Sequence, residues 1–386
     1  MTVSKLRGRL ALLAGCAVMA TGVAACGSLN KNANSSGGSG GSAASGSGSS
    51  SGGSTGGSSS GSKGTIAFLL SGPDLYYQYG VDGAKAAAAK LGYDLKVYPN
   101  PNVSPSVELA NVQNAIASGA KAIDGYSVGL STETATISKA QQAGVPIFLM
   151  YGYSPKYINE KGVVGFEQVP LVPYGEGPGK YLKSNLSSGS TVGVITGQLG
   201  RGDAEGYRTG FLKGLGCQGD VEGGNPPLTC ANGIKYVVTE TGKWLRPSAY
   251  QAAQDIIGKY PDLSALYVEN DDMAVGVHTA LVAAHKTNVK IVSSNGAPYG
   301  LAGIKAGWLS ASSTCSPSLE GLYSVRLIDA YMNKKIPGNK LYNSYNVMVD
   351  KSSVNKAVGW TFFKTPSLVN HWMSQPLLKP APTPSS

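Results

Sequence analysis

The pentapeptide GYSVG at residues 125–129 carries the G-x-S-x-G spacing of a nucleophile elbow. It follows an apolar segment, AKAI at 120–123, and precedes a helical pattern, so Ser127 is a candidate nucleophile. A hydrolase of that type needs an acid and then a histidine later in the chain. The histidines are His278, His285 and His371; the first two lie seven apart on the surface or flank of one predicted helix and the third lies in the C-terminal tail. The same spacing recurs as GSSSG at 48–52 and 57–61, inside a Gly/Ser run where it arises by chance. A serine hydrolase using Ser127 is therefore the remote alternative, and catalysis is not expected.

Other reactive side chains are few. The chain has 386 residues, 5 cysteines and 3 histidines, and no C-x-x-C, so no metal or cofactor is expected. Cys217 and Cys230 flank the Gly/Pro-rich stretch 218–229 and are expected to pair, leaving Cys315 free. A closed loop of that size contributes up to about 3 kcal/mol in the chain-entropy account. The formal charge is +10, part of it from Lys5, Arg7 and Arg9 near the N-terminus. The remaining basic residues are scattered, without interleaved aromatics or a helix-turn-helix start. A nucleic-acid partner is not expected.

The N-terminus reads as an export signal. A short basic segment, 1–9, precedes the apolar run LALLAGCAVMA at 10–20 and the small residues VAAC at 23–26. VAAC resembles a bacterial lipobox, which implies cleavage before Cys26 and lipidation of its thiol. Residues 27–63 are almost entirely Gly, Ser, Ala, Asn and Thr. Such a composition cannot bury enough apolar surface to order itself. It reads as a tether with an r.m.s. span of about 30–35 Å. The expected location is extracytoplasmic, anchored to a bacterial cell membrane and not spanning it.

Beyond the tether, strand and helix patterns alternate. Strands are predicted at 65–70, 94–98, 122–126 and 146–150, with helices at 76–91, 105–117 and 132–143. The rhythm restarts with strands at 191–196, 234–239, 265–268 and 289–292. Helices follow these at 204–215, 247–259, 271–284 and 299–306. Alternation of this kind predicts an α/β fold with parallel sheets flanked by helices.

Several phrases, in order, resemble the ribose-type periplasmic sugar-binding proteins of ABC importers. They are TIAFLL at 65–70, DLYY at 74–77, DGAKAAAAKLGY at 82–93, VQNAIASG at 112–119, AGVPI at 143–147, YVENDDMAVG at 267–276 and AGWLSA at 306–311. The resemblance spans about residues 64–345. It implies the type 1 periplasmic binding protein fold: two Rossmann-like lobes joined by a three-segment hinge, with a ligand in the cleft. The expected organisation is a signal peptide at 1–25 and the lipidated Cys26 with its tether at 26–63. An N-terminal lobe at 64–153 and 316–338 and a C-terminal lobe at 154–315 and 339–365 follow, then a tail at 366–386. The expected partner is an ABC permease, and the expected state is a monomer. The alternative is a receptor that presents its closed form to a sensor kinase.

Carried over residue by residue, the resemblance places Asp74 as a polar anchor, and Tyr76 and Tyr77 as paired aromatics stacking on the sugar. Tyr126 and Ser127 stand in the loop that contacts it, where the family has an acid at Gly129. Trp244 and Arg246 match the aromatic and basic residues of the second lobe, and Asn270 matches the Asn of N-D-E-M. Tyr207 stands in place of an arginine, Asn295 of an aspartate and Cys315 of the crossover glutamine. Asn270 is also placed to cap the helix that starts at Asp271.

A site rich in rings and poor in ions, relative to that pattern, favours a ligand with flat or less polar faces. The expected ligand is small, neutral and partly hydroxylated: a deoxy or methylated sugar, a cyclic polyol, a glycoside or a nucleoside, with ribose itself held weakly. Independently of the ligand, Cys26→Ser is expected to move the protein from the membrane to the soluble fraction. A variant that stays on the membrane, with no lipid found on the wild-type Cys26, overturns the anchor.

Overall fold

A computed structural model describes residues 61–151, 161–357, 360, 363 and 365–381. The signal segment, Cys26, most of the tether and Tyr153 lie outside the described residues. Among the described residues no helix is long and apolar enough to cross a membrane.

Two sheets organise the chain. The first contains β1 (Thr65–Leu69), β2 (Asp94–Tyr98), β3 (Ala122–Gly125), β4 (Ile147–Met150), β5 (Val163–Gln168) and β12 (Lys340–Asn343), in the order β12-β5-β4-β3-β1-β2. Every pairing in it is parallel, with Ile66 opposite both Leu95 and Ala122. The second contains β6 (Thr191–Thr196), β7 (Leu228–Thr229), β8 (Lys235–Thr241), β9 (Leu263–Val268), β10 (Lys290–Asn295), β11 (Ala311–Thr314) and β13 (Val347–Asp350), in the order β13-β11-β10-β9-β6-β8-β7. Only its two outer pairings, β11 with β13 and β7 with β8, are antiparallel. Central strands such as β1 and β4 are buried along nearly their whole length, as parallel strands covered on both faces must be.

Helices α1 (Leu75–Leu91), α2 (Pro105–Ala117), α3 (Leu130–Gln142), α9 (Pro317–Met332) and α10 (Pro366–Ser374) belong to the first lobe. Helices α4 (Leu171–Asn185), α5 (Gly202–Leu215), α6 (Arg246–Lys259), α7 (Asp271–Ala283) and α8 (Pro298–Ala306) belong to the second. Local signals set their ends. Asp74 caps α1 by accepting from the Tyr76 N–H, and Gly92 ends it at φ 84°, a left-handed value that glycine adopts freely. Ser104 and Asn270 cap α2 and α7 in the same way. Each sheet has a buried apolar cluster on both of its faces.

The lobe boundaries differ from the sequence expectation at two crossings. β5 is hydrogen-bonded to β4, so 163–168 belongs to the first lobe and the first crossing falls at 169–170, not at 153. β12 pairs with β5, so 340–343 is also first-lobe chain, and the third crossing falls between β12 and β13. The second crossing runs from β11 to α9, past Cys315. The described part of the tail, 366–381, is not separate either. Trp372 and Met373 of α10 pack on the first-lobe core, Arg326 donates to the carbonyls of Trp372 and Gln375, and Pro380 bridges to Tyr342 on β12. In the second lobe Cys217 and Cys230 are disulfide-bonded, and Cys315 is a free, buried thiol.

Close backbone contacts in each lobe hold a helix pair together beside the crossings. A Cβ on Gly83 of α1 would stand 1.7 Å from the Ser318 carbonyl oxygen of α9, and one on Gly210 of α5 would stand 2.0 Å from that of Val172 on α4. Backbones meet there with no room for a side chain. Gly83→Ala is therefore expected to destabilise the protein by at least about 1–3 kcal/mol through overpacking. The denaturant midpoint measures it, and an unchanged midpoint contradicts so close a packing.

Candidate functional site

The loops at the carboxyl ends of the parallel strands converge from both lobes, as ligand sites do in open α/β sheets. Tyr76 follows β1, Tyr126 follows β3 and Tyr151 follows β4. Facing them are Trp244 after β8, Asn295 at the end of β10 and Cys315 after β11. Tyr76 and Tyr151 pack against the cores of both lobes.

At the centre is a carboxylate that no sequence motif flagged. Glu320, in the first turn of α9, is 1% exposed. The Tyr76 hydroxyl donates to its Oε2 at 2.5 Å and the Tyr151 hydroxyl to its Oε1 at 2.9 Å. No basic side chain among the described residues forms an ion pair with it. Burial pushes the Glu320 carboxyl up to about 7, against the opposing pull of the tyrosine hydrogen bonds. Glu167, buried on β5, feels the like charge of Glu320 and of Asp124, and burial raises it well above the ordinary carboxylate range.

Rings surround this acid. The centroid of Tyr76 lies 5.8 Å from Tyr77, 5.9 Å from Tyr126, 6.1 Å from Tyr151 and 5.2 Å from Trp360, edge to face in each case. Tyr126 is 2% exposed and its hydroxyl has no partner. On the second lobe, Tyr207 packs between Tyr174 and Trp244 at 5.0 and 6.5 Å. Trp244 lies flat on Gly197, where a Cβ would sit 2.0 Å from the indole, and its buried ring N–H is unpaired. Cys315 Sγ lies 3.9 Å from the Tyr76 hydroxyl and 3.5 Å from the Asn295 carbonyl, and burial holds its thiol far above the usual range.

The charges at the lips are largely paired. Arg246 bonds Asp272 at 2.6 Å and lies over Tyr299 at 5.7 Å. Arg201 bonds Asp203 at 3.0 Å and lies over Trp244 at 5.9 Å. Asp74 is within electrostatic reach of Asp272, and Tyr77 of Arg201 and Asp203, so the two lips are close together in this conformation.

The structure thus gathers Tyr76, Tyr77, Tyr126, Tyr207, Trp244, Asn295 and Cys315 around one centre and leaves Asp74 and Arg246 at its rim. Two of the residues singled out from sequence are engaged in structural bonds. The Ser127 hydroxyl donates to Glu108 Oε1 at 2.8 Å, and Glu108 also accepts from the Val128 N–H and the Thr136 hydroxyl. The histidines lie elsewhere: His278 stacks on Trp308 and His371 lies against Trp372. Asn270 accepts from the Met273 N–H at 2.7 Å and donates to the Trp244 carbonyl at 3.4 Å, which leaves one of its amide hydrogens uncommitted.

Glu320, Tyr174 and Trp360 were not singled out from sequence. The only available pointer to Glu320 was SPSLE at 316–320, a helix start with proline at its first position and an acid in its first turn.

Comparison with known proteins agrees with this fold. The periplasmic binding protein domain matches residues 66–336. The ribose import binding protein of Salmonella typhimurium is 27% identical over 291 residues, covering 74% of this chain and 89% of that one. The D-apiose import binding protein of Paraburkholderia graminis is 26% identical over 227 residues, covering 57% and 65%. Among solved structures, an ABC transporter periplasmic solute binding protein from Actinobacillus succinogenes with bound D-allose superposes with a TM-score of 0.67 at 22% identity, covering 76% of this chain and 100% of that one.

The raised carboxyls give the site a pH signature. An acid whose folded pKa is raised stabilises the fold fully below its unfolded value, and that contribution is lost as pH rises through the folded value. For Glu320 the window runs from about 4.5 to about 7, and Asp124 and Asp271, also raised to about 7 by burial, act in the same direction. Stability is expected to fall from pH 5 to 7 and to level off above that, by up to about 1.4 kcal/mol per pH unit for each group that keeps its proton only in the folded state. Glu320→Gln should flatten part of that slope in thermal unfolding. An unchanged slope means that Glu320 does not titrate there.

Proposed function

This chain belongs to the periplasmic binding protein family, and on that premise we propose that it is the solute-binding component of an ABC importer, taking a small neutral sugar between its lobes. The observation that carries the reading is the pairing of ring side chains from the strand ends with the buried carboxylate of Glu320 at the start of α9, with Arg246 and Arg201 at the lips paired to Asp272 and Asp203. Rings cover the apolar faces of a sugar, and a carboxylate accepts from its hydroxyls through charge-assisted bonds roughly twice as strong as neutral ones.

The mechanism follows from the crossings. The chain passes between the lobes after β5, after β11 and after β12, so the lobes can rotate about those segments and close on a ligand. Ligand binding and closure are then one event, and a permease reading the closed lips would distinguish loaded from empty protein. A lipid on Cys26 and a Gly/Ser tether would keep the globule near that permease. Rings in excess of charge support a deoxy or methylated sugar, a cyclic polyol, a glycoside or a nucleoside over ribose. The names of the relatives support a carbohydrate as the class.

The test is mass spectrometry of ligand released from purified protein, followed by calorimetry with free pentoses, hexoses, polyols, glycosides and nucleosides. A neutral hydroxylated ligand is expected, and at about a hundred times its Kd it should stabilise the protein by about 2.7 kcal/mol. Binding confined to charged solutes, or no carbohydrate binding at all, overturns the reading. Tight ribose binding overturns the narrower ligand class alone.

A further inference from the structure

The family match ends at residue 336, yet the chain continues, returns to the second lobe and then leaves it again. Val354 and Ala357 pack in the second-lobe core. Phe363 packs in the first-lobe core, and its N–H donates to Asp82 Oδ2 of α1 at 2.5 Å. A fourth crossing therefore lies between 357 and 363, outside the part of the chain that defines the family.

Trp360 stands in that crossing and is 8% exposed. Its indole N–H donates to the Asn295 carbonyl of the second lobe at 3.0 Å. Its ring meets first-lobe Tyr76 and Tyr79 at 5.2 and 5.5 Å and second-lobe Tyr299 at 6.4 Å. A segment that merely spans two lobes needs no large ring buried between them. This ring touches Tyr76, the residue that holds Glu320, and is bonded to Asn295, whose φ of 107° puts its backbone in the left-handed region. The bond to Asn295 uses the only donor of the indole, so toward the cleft the side chain presents carbon alone. Carbon faces of an aromatic ring suit the apolar face of a sugar ring.

We propose that Trp360, carried by the C-terminal segment, is a specificity-determining wall of the ligand site, whose ring discriminates between a free monosaccharide and its glycoside. The proposal rests on the carbohydrate reading above.

The test uses the mature chain and two substitutions, Trp360→Ala and Trp360→Phe, with free hexoses and pentoses and their methyl glycosides as probes. Trp360→Ala is expected to weaken the tighter bound of a free sugar and its methyl glycoside about tenfold and the other less, so that the ratio of the two affinities shifts. Trp360→Phe should keep the ratio but diminish the sugar-induced change in tryptophan emission, the remainder coming from Trp244, whereas Trp372→Phe should leave that change whole. If Trp360→Ala does not fold, the emission comparison decides. An unaltered ratio in Trp360→Ala, or an emission change undiminished in Trp360→Phe, overturns the role of Trp360 and leaves the carbohydrate reading standing. A wild-type protein that binds none of these sugars overturns both.

Discussion

A carboxylate buried without a cation must find hydrogen-bond donors or take up a proton. Glu320 finds two donors, and both are tyrosines whose rings are needed elsewhere. Tyr76 and Tyr151 each pack on the core of one lobe and against the core of the other. The hydroxyls therefore cannot reach Glu320 unless α1, the end of β4 and the start of α9 hold their mutual positions. That requirement explains the tight backbone contact between α1 and α9 at Gly83, where a side chain of any size would push the helices apart. It also ties the electrostatics of the cleft to its geometry. A shift of a few ångströms among these first-lobe elements would leave the acid short of donors and change how readily it holds its proton.

The two lobes solve the same problem with similar parts. Each has a parallel sheet core, loops that leave the strand ends toward the partner lobe, and a helix pair in backbone contact beside the crossing. Carboxylates brace the loops. Glu269 accepts from the Thr196 hydroxyl and the Gly197 N–H, which fixes the surface on which Trp244 lies. Asp271 accepts from Ser293, Ser312 and the Ala297 N–H, and so ties together the ends of β10 and β11 and the start of α8. Aromatic positions in the cleft are thus set by buried acids that never face it.

Much of the fold is legible in the sequence because its signals are local. The strands and helices over 65–143 and 191–306 follow from apolar periodicity and caps, and all of them occur. Residues 163–185 resisted the same reading. α4 contains Pro178 and the glycines Gly175, Gly177 and Gly179, a composition of loops. The structure shows why part of it is there: a Cβ on Gly175 or Gly179 would fall about 2 Å from carbonyls of α5. The assignment of β5 and β12 to the first sheet was not legible, since a short buried strand looks alike in either lobe. The family-like positions found the aromatics of the cleft. Glu320 and Trp360 escaped because each matters only through partners more than 60 residues away in sequence, Tyr76 and Asn295 respectively.

The C-terminal tail has a consequence beyond the cleft. β12 is the outermost strand of the first sheet, and an open strand edge is a template on which another chain can grow. Here the Ala381 N–H bonds the Leu341 carbonyl, and Pro380, which has no N–H to offer, stands opposite Tyr342. The second sheet is finished at both margins by short antiparallel strands, β7 of two residues and β13 of four. Three of the four margins are blunted in these ways, and β2 alone remains a longer edge. Proteins crowded side by side on a surface meet their own copies at high local concentration, where blunt margins hinder strand exchange and fibre growth.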